Sequence, residues 1–407
     1  MKLRRYRRCG ASVITLSGRV HYDRMSLIPS SKADAKRLEV SGHTGLLFPL
    51  DEVLQLDRLP FKMTVAVMLE IAREACRSHS YEEAEQKLRE RTCIRLNDDS
   101  IRAVTNTVGE LVFANDVRVA DEKWALLDSA KLSIPDKKLN YILYLEVDGA
   151  MLPTRHKNDQ GSIWKENKLG MAFSTDNFLV WTDGKGQKRH RILKREYTAF
   201  VEGLDGFKKQ MLALALRNGY GQYRQTVLLS DGATWIRKMK DELFPDAQQI
   251  LDFFHLCENV SNFSKSVFSM DEAKYRPWTD MMCDLLKASC LEKAIGEIKK
   301  LGKRLLSKSK HDLLQYLMHN KDNIDYATYI GNGYFIGSGA IESGNRTVLQ
   351  QRLKQPGMRW NTKTGQYILT LMAKDKSGLW EQDVVQAIYR HYGIDPNAGF
   401  IKAPFSN

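Results

Sequence analysis

Apolar residues recur along the chain with two different periods, which predict helices in the N-terminal third and extended runs from about residue 138 onwards. The first strong helical pattern is FKMTVAVMLEIAREA at 61–75, and two more follow within residues 78–113. Ser80 and Glu83 have the spacing of a capping box, and Asn97 or Asp98 can cap the next pattern. Three helices with short links suggest a helix-turn-helix, although any three-helix bundle shows the same pattern.

Weaker patterns flank this helical region. Residues 1–28 contain short β-prone runs on both sides of Ser17-Gly18, which predicts a hairpin. Residues 29–45 are rich in serine, glycine and charge and are predicted to form a loop. Residues 116–138 are predicted to form a polar connection to the next part of the chain.

The second half of the chain alternates buried extended runs with helical patterns. KLNYILYLEVDGAM at 138–151 is typical of a buried strand, and Asp183-Gly184 joins two extended runs as a hairpin does. VLLSDG at 227–232 and AQQILDFFHL at 247–256 are further apolar runs. Residues 257–335 have a helical pattern, and a last helix is predicted from Ala340 to Pro356-Gly357. This order predicts an α/β protein with a mixed sheet covered by helices.

Composition narrows the class of partner. The chain has 62 Lys+Arg against 49 Asp+Glu, a formal net charge of +13, which favours a polyanion such as nucleic acid. No run of 18 apolar residues is present, and no apolar stretch of signal-peptide type follows the basic N-terminus, so we expect a cytoplasmic protein without a membrane partner. The six cysteines contain no CxxC pair, which argues against a disulfide framework and a zinc site.

Three acids end apolar elements and are candidates for one composite site. Asp148 and Asp231 each follow a predicted strand, and Glu342 lies in the first turn of the last predicted helix. Alone, each is typical of a turn or of a helix start. If the three converge, their carboxylates repel one another unless cations lie between them, and Mg²⁺ prefers oxygen ligands of this kind. Two such ions could activate an attacking oxygen and stabilise a leaving one.

Other candidate residues are one aspartate–histidine pair and several basic side chains. Asp252 and His255 are three residues apart, although a histidine after two aromatic residues is more often packed in a core. Each basic set is also compatible with a solvated surface. The candidate nucleic-acid contacts are Arg346, Arg352, Lys354 and Arg359 for the backbone, Trp360 for base stacking or else the core, Lys188 and Arg189 on the hairpin, and Arg102 and Asn106 on the third N-terminal helix.

Five stretches occur together in one order: LYLEVDGAMLPTR, WKENKLGMAF, VLLSDGATWI, ILDFFHL and GSGAIESGNRTVLQQRLKQPGMRW. Together they resemble the core motifs of bacterial insertion-sequence transposases of the ISKra and ISLre kind, related to the Mutator-like DDE enzymes. The resemblance covers roughly residues 138–385, with a looser likeness around FPLDEVLQL. It implies an RNase H-like domain interrupted by a helical insertion, with Asp148, Asp231 and Glu342 as the metal-binding triad. Asp252 and His255 would match an acid-x-x-His motif that positions the scissile nucleotide.

The sequence departs from these relatives before the Pro-Leu-Asp-Glu motif. There the relatives often have a cysteine-paired zinc ribbon, whereas LEVSGHTGLLFPLDE contains no cysteine, so we predict no zinc. The regions expected are 1–60, a small β/loop region; 61–137, a helical DNA-binding domain; 138–256, the first part of the RNase H-like core; 257–335, the helical insertion; and 336–407, the last core helix and C-terminal helices.

The resemblance and the acids predict a DNA transposase that uses two Mg²⁺ or Mn²⁺ ions. Its expected partners are the terminal inverted repeats of a transposon, target DNA and further copies of itself, in a homodimer or higher oligomer associated with a prokaryotic nucleoid. Two alternatives stay open at this point. One is an RNase H-like nuclease that does not transpose DNA, and the other is a catalytically inactive DNA-binding protein.

Overall fold

A computed structural model of the chain describes residues 2–40, 46–129, 139–157, 161–201, 203–301 and 307–395. The chain divides into two compact units. Met1–Asp116, Pro153–His156 and Leu349–Asn407 form the first unit, and Val117–Leu152 and Lys157–Val348 form the second. The predicted boundary between residues 137 and 138 lies outside the described residues.

The first unit begins with a two-stranded antiparallel ribbon. Strands β1 (Leu3–Thr15) and β2 (Gly18–Pro29) pair along their length, with Thr15 opposite Gly18, which confirms the predicted hairpin. Helix α1 (Lys32–Val40) follows, so the prediction of a loop over 29–45 was wrong for this part. The Ser31 hydroxyl accepts the Asp34 N–H at 3.1 Å and donates to the Asp34 carboxylate at 2.8 Å, a local cap that starts the helix. Residues 41–45 lie outside the described part of the chain.

The predicted helical region is present in this unit. It contains α2 (Pro49–Val53), α3 (Val65–Arg77), α4 (Tyr81–Arg91) and the first part of α5 (Asp98–Asp128), whose residues from Val117 onwards belong to the second unit. The Ser80 cap is confirmed, because Ser80 Oγ accepts the Glu83 N–H at 3.0 Å, whereas the Glu83 carboxylate accepts the His79 N–H at 2.6 Å instead of that of Ser80. Helix α5 continues through residue 128, so the predicted polar connection was wrong over 116–128. That stretch contains neither glycine nor proline, and Arg118 pairs with Glu122 one turn later.

The last part of the chain supplies three further helices to the first unit: α14 (Gln351–Leu353), α15 (Thr362–Lys376) and α16 (Gln386–Tyr392), with a π-helical turn at Trp380–Val385. Lys374 on α15 lies between two acids, 2.9 Å from Asp116 and 2.8 Å from Asp383. This partly buried cation joins α15 to helix α5 and to the π-helical turn.

Arg352 on α14 belongs to the core, which corrects its assignment as a contact to a nucleic-acid backbone. Its side chain is 1% exposed. The guanidinium donates to the backbone oxygens of Ala75 at 2.9 Å and His79 at 3.2 Å, at the C-terminal end of α3, and lies over the rings of Tyr81 and Trp360. Carbonyl dipoles and aromatic faces therefore stabilise this cation.

The second unit is built on a five-stranded sheet with the order β7-β4-β3-β8-β9. These strands are β3 (Leu139–Pro153), β4 (Trp164–Ser174), β7 (Glu196–Val201), β8 (Tyr223–Ser230) and β9 (Gln248–Leu251). Strands β3, β8 and β9 run parallel, whereas β4 and β7 are antiparallel, which confirms a mixed sheet. Strands β5 (Phe178–Thr182) and β6 (Lys188–Ile192) form the hairpin predicted at Asp183-Gly184.

Helices α6 (Leu204–Arg217) and α7 (Thr234–Leu243) pack on the five-stranded sheet. Leu143 and Leu145 from β3 share one buried cluster with Phe207 and Met211 from α6 and Ile236 from α7. This core burial fixes the position of β3 and β8 relative to each other.

Helices occupy most of the described residues between β9 and the stretch that carries Glu342, as predicted. They are α8 (Phe253–Val267), α9 (Glu272–Lys287), α10 (Leu291–Lys300), α11 (Ser307–His319) and α12 (Tyr326–Gly331). Helix α13 (Gly339–Gly344) and a π-helical turn at Asn345–Gln350 then lead into α14. Throughout the described chain, each helix is too short or too polar to span a bilayer.

We expect Arg352→Ala to lower the free energy of unfolding by about 3 kcal/mol, because it removes two buried hydrogen bonds and leaves a cavity between two rings. Urea denaturation followed by tryptophan fluorescence measures the loss. The control is Arg346→Ala, an exposed arginine six residues earlier, which should cost less than about 0.5 kcal/mol. Equal costs for the two variants would contradict the core role of Arg352.

Candidate functional site

Three aspartates lie in one row across the parallel strands of the second unit. Glu146 pairs with Leu229 in the β3/β8 register, so continuing that register by two residues places Asp148 beside Asp231. Ser230 pairs with Leu251 in the β8/β9 register, which places Asp231 beside Asp252. Because neighbouring strands are about 4.8 Å apart, the three side chains emerge close together. They lie towards the carboxyl ends of these parallel strands, which form one edge of the sheet.

The turn after β8 requires a glycine. Gly232 has φ of +86°, and a Cβ atom there would lie 2.7 Å from Leu251 Cδ1. The Asp231 carboxylate closes this turn by accepting the Ala233 N–H at 3.0 Å. The Asp-Gly pair thus turns the chain sharply and aims the aspartate at the sheet edge.

Two buried carboxylates hold the start of the helix that carries Glu342. Asp252 accepts the Ser338 N–H at 3.0 Å and also the Ser338 hydroxyl. Glu146, from the interior of β3, accepts the Ile341 N–H at 2.8 Å. Both acids are about 1% exposed or less. These bonds join residues on β3 and after β9 to a segment that follows the whole helical insertion.

Two more contacts complete this attachment. The Asn345 amide donates to the Asp148 carboxylate. Gly344 packs so closely that a Cβ atom there would lie 2.7 Å from the Tyr197 ring of β7. The helix start therefore lies against the sheet, and one carboxylate oxygen of Glu342 lies within 4.8 Å of ligand atoms of both Asp252 and His255.

Negative charge is concentrated at this edge of the sheet. Burial raises the pKa of Asp148 above its usual range, and the nearby carboxylates of Asp231 and Glu342 raise it further. Burial also raises the pKa of Glu146 to about 8, with further contributions from Asp252, Glu342 and Asp148. Glu146 is therefore mostly protonated at neutral pH and adds little charge. The structure thus brings Asp148, Asp231 and Glu342 into electrostatic contact.

His255 supplies a positive charge beside these acids. The hydrogen bond between His255 Nδ1 and Asp252 Oδ2, 3.2 Å long, raises the pKa of His255 to about 9, and Asp148 and Asp231 contribute further. At neutral pH the ring is an imidazolium, which donates protons from both nitrogens and does not bind metal.

Hydrogen bonding distinguishes the buried acids Glu146 and Asp252 from the other three acids of the site, Asp148, Asp231 and Glu342. The Asp252 carboxylate accepts the N–H groups of Phe254 at 2.6 Å and His255 at 3.3 Å in addition to Ser338, so its lone pairs are occupied. Asp252, His255 and Glu342 lie close enough to ligate one ion, but these bonds and the imidazolium oppose that arrangement. Glu342 is exposed, and among the described residues its carboxylate has no hydrogen-bond partner. Asp148, Asp231 and Glu342 are the acids best suited to hold divalent cations.

Glu146 and Ser338 were not identified as site residues from the sequence. Glu146 had one signal, because it interrupts an otherwise apolar buried strand two residues before Asp148 and so points to the same face. A buried acid in a strand needs a donor, and here the donor is a backbone N–H from a segment 195 positions later. No local pattern indicates that partner.

The predicted nucleic-acid contacts have different environments. Trp360 is 8% exposed, and its indole N–H donates to Leu353 O at 3.0 Å, so the core alternative holds. Asn106 is half-buried with its side-chain oxygen enclosed, which corrects the expectation that it faces outward. Five of the predicted contacts have exposed or partly exposed side chains: Arg346, Lys354, Arg359, Arg102 and Arg189. Arg102 pairs with Asp99, and Arg189 pairs with Asp183. Lys188 is the first residue of β6.

The sequence model of the Uncharacterised protein family (UPF0236) matches residues 40–386. That range includes every acid of the site and excludes the ribbon of β1 and β2. No match was found among curated proteins.

We expect Asp252→Asn to lower the pKa of His255 from about 9 towards its ordinary value of 6.5, because the variant removes the partner charge. A histidine pKa raised on folding stabilises the native state fully below pH 6.5, and that contribution is lost as pH rises through about 9. Unfolding free energy in metal-free wild type should therefore fall between pH 6.5 and pH 9, and less so in the variant.

Histidine ring resonances recorded against pH measure this pKa, and His255→Gln identifies the resonance. The control is Asp246→Asn, which changes an exposed acid in the turn before β9 and should leave the titration unchanged. Titration of wild-type His255 at its ordinary pKa would contradict the ion pair with Asp252.

Proposed function

This chain belongs to the Uncharacterised protein family (UPF0236), and from its cluster of acids we propose that it is a DNA transposase of the DDE type. The proposed reaction is metal-dependent cleavage of phosphodiester bonds at transposon ends, followed by transfer of the freed 3′ end to target DNA. The observation that supports the proposal is the proximity of Asp148 to Asp231 and to Glu342, whose carboxylates both raise its pKa.

The arrangement of this second unit supports an RNase H-like catalytic domain. Asp148 lies on the central strand of the sheet, and Asp231 follows the parallel neighbour β8. Helices from the insertion separate these strands from Glu342 in sequence, as the resemblance to DDE transposases implies. The order of acids, two on strands and one on a late helix, is the order expected for that class.

The donor set fits two divalent cations. All three candidate ligands are carboxylates, the donors that Mg²⁺ and Mn²⁺ prefer, and Glu342 is exposed to solvent and so to substrate. Bound cations would activate the attacking oxygen and stabilise the leaving oxygen of an in-line displacement. Asp148, Asp231 and Glu342 would hold the cations, whereas Glu146 and Asp252 position the helix of Glu342.

His255 is proposed to bind the scissile phosphate. Asp252 orients the ring through Nδ1, so Nε2–H is free to donate to an anionic oxygen. An imidazolium in this position compensates charge on the phosphate while the carboxylates compensate the cations. This role agrees with the acid-x-x-His motif of the resembled transposases.

DNA is the proposed substrate because of the charge balance and the distribution of exposed arginines. The net charge of +13 favours a polyanion even though the active-site edge is acidic. Arg346 lies one turn after Glu342 on the same helical stretch and is exposed, which suits a contact to the DNA backbone. Helices α3 to α5 are proposed to bind the terminal inverted repeats, with Arg102 exposed on α5.

Metal binding is the first test. Because the acids repel one another, Glu342→Gln should leave the melting temperature of metal-free protein unchanged or raise it. Mn²⁺ at 100 times its Kd should stabilise wild type by about 2.7 kcal/mol, or roughly 5 °C, and should stabilise Glu342→Gln and Asp231→Asn far less. Asp246→Asn is the control and should respond as wild type. Equal stabilisation of all four proteins would exclude this metal site.

Cleavage is the second test. With Mg²⁺ and a DNA duplex that carries the element's own end, wild type should nick the end, and Asp231→Asn should reduce the rate by at least about 100-fold. Gel electrophoresis of labelled strands separates nicking from strand joining. Nicking without joining would favour a nuclease, and full activity of Asp231→Asn would exclude the proposed triad.

A further inference from the structure

We propose that the N-terminal ribbon, strands β1 and β2, is a separate binding surface for duplex nucleic acid, with β1 lying along phosphates at the major groove. The ribbon lies outside the residues that match the family, 40–386. It belongs to the first unit, whereas the acids of the proposed catalytic site belong to the second. The inference therefore does not rest on the catalytic proposal.

Four arginines crowd into one end of β1. Arg4, Arg5, Arg7 and Arg8 are all exposed. Among the described residues none of their guanidinium groups lies within ion-pair distance of a carboxylate. The residues opposite them on β2 are not acidic: Ile28, Leu27, Ser26 and Met25. This end of the ribbon is an uncompensated positive patch.

The ribbon's register distributes these charges over both faces. A bulge between Arg5 and Arg7 shifts the pairing by one residue. Residues that pair across an antiparallel ribbon share a face, so Arg4 and Arg7 share one face and Arg5 and Arg8 the other. Two arginines on each face can contact phosphates on both sides of a groove.

The four arginines of β1 carry more charge than an exposed edge strand needs to avoid pairing with a strand of another molecule. One or two charged side chains prevent edge-to-edge pairing. Two arginines about 7 Å apart on one face repel each other by about 0.6 kcal/mol in water, and further pairs add to this cost. The phosphate charges of a polyanion offset this repulsion. Each arginine that contacts a phosphate also releases a condensed counterion, which favours binding.

The dimensions and surroundings of the ribbon favour duplex nucleic acid as the polyanion. The major groove, about 12 Å wide, accepts a two-stranded ribbon. Tyr6, at the bulge, is 57% exposed, and the Arg7 guanidinium lies 5.7 Å from its ring centre. An exposed tyrosine held by an arginine presents a flat surface and a hydroxyl donor to a sugar or base edge.

The ribbon is fixed in position before any partner binds. At its turn end, Ile14 is buried and exchanges backbone hydrogen bonds with Lys62 and Thr64, at 2.9 and 3.0 Å. At its other end, Leu27 exchanges two backbone bonds with Leu47, at 2.8 and 3.0 Å. The arginines therefore extend from a rigid base, which limits the entropy lost on binding.

The test measures affinity of the full chain for a duplex without transposon ends, by fluorescence anisotropy, at several salt concentrations. In the ribbon variant Arg4, Arg5, Arg7 and Arg8 are all changed to Gln. The matched control changes four exposed lysines of the helical region to Gln, namely Lys293, Lys299, Lys308 and Lys321, none of which forms an ion pair with a described residue. Both variants lower the net charge by four, so they differ only in where the charge is lost.

We expect the ribbon variant to bind duplex at least about tenfold more weakly than the control at 0.1 M salt. Its plot of log affinity against log salt should be less steep by about 0.9 for each lost phosphate contact. A third variant with Lys at all four positions should retain most of the affinity. Equal affinities of the ribbon and control variants, or a Lys variant as weak as the Gln variant, would overturn the proposal.

Two further measurements distinguish a duplex-binding ribbon from one that binds single-stranded DNA or a membrane surface. The ribbon variant should lose less affinity for single-stranded DNA than for duplex, and equal losses would exclude a ribbon seated in the groove. Vesicles that contain phosphatidylserine should bind wild type and the ribbon variant alike, whereas a loss confined to vesicles would overturn the proposal. Mn²⁺ should raise the melting temperature of the ribbon variant as it does that of wild type, so failure of the catalytic proposal and failure of this one are distinguishable.

Discussion

Two hydrogen bonds from backbone N–H groups to buried carboxylates determine whether the candidate site exists. Asp252 accepts the N–H of Ser338, and Glu146 accepts that of Ile341. Ser338 is the N-cap of helix α13, and the Ile341 N–H lies in its first turn, where it is shared with Ser338 O at 3.0 Å. A hydrogen bond to the ionised Asp252 contributes about 1.5–3 kcal/mol and one to the neutral Glu146 about 0.5–1.5 kcal/mol, and the loss of either would leave a buried acid with one donor fewer. The helix of Glu342 is therefore held to the sheet by groups that are not themselves suited to bind metal.

The same environment separates structural acids from functional ones. Burial neutralises Glu146 by raising its pKa to about 8, and His255 compensates the charge of Asp252. Asp148 lies near both Asp231 and Glu342, and the nearby His255 partly offsets their charge. Carboxylates that repel one another in this way create affinity for divalent cations. Such a site lowers the stability of the metal-free protein and raises its affinity for divalent cations.

Arginines show the same division by environment. Arg352 is enclosed by carbonyl oxygens and aromatic rings, whereas Arg346, on the same helical stretch, is exposed. On the ribbon, Arg4 and Arg8 are exposed, and the residues opposite them on β2 are not acidic. Basic residue type therefore does not identify a nucleic-acid contact, and burial and neighbouring charges decide which arginines are available.

Local chemistry in the sequence predicted the elements whose stabilising contacts lie within a few residues. The Ser80–Glu83 cap, the Ser17-Gly18 and Asp183-Gly184 hairpins and the helical stretch of Glu342 are of this kind. The alternation of apolar strands and helices likewise indicated a mixed sheet. Helix α1 and the continuation of α5 were missed because their polar composition suggested loops, whereas a short cap starts α1 and Trp124 and Leu127 of α5 pack against the buried cluster of the second unit.

The environment of each functional residue depended on the tertiary structure. The row of Asp148, Asp231 and Asp252 follows from strand register, and the place of Glu342 follows from bonds between groups almost two hundred residues apart. Sequence patterns showed that these acids end their elements, but they could not show that Glu146 is a buried positioning group or that Arg352 is a core cation. Desolvation and partner geometry set those roles, and both arise from contacts between residues that are distant in the chain.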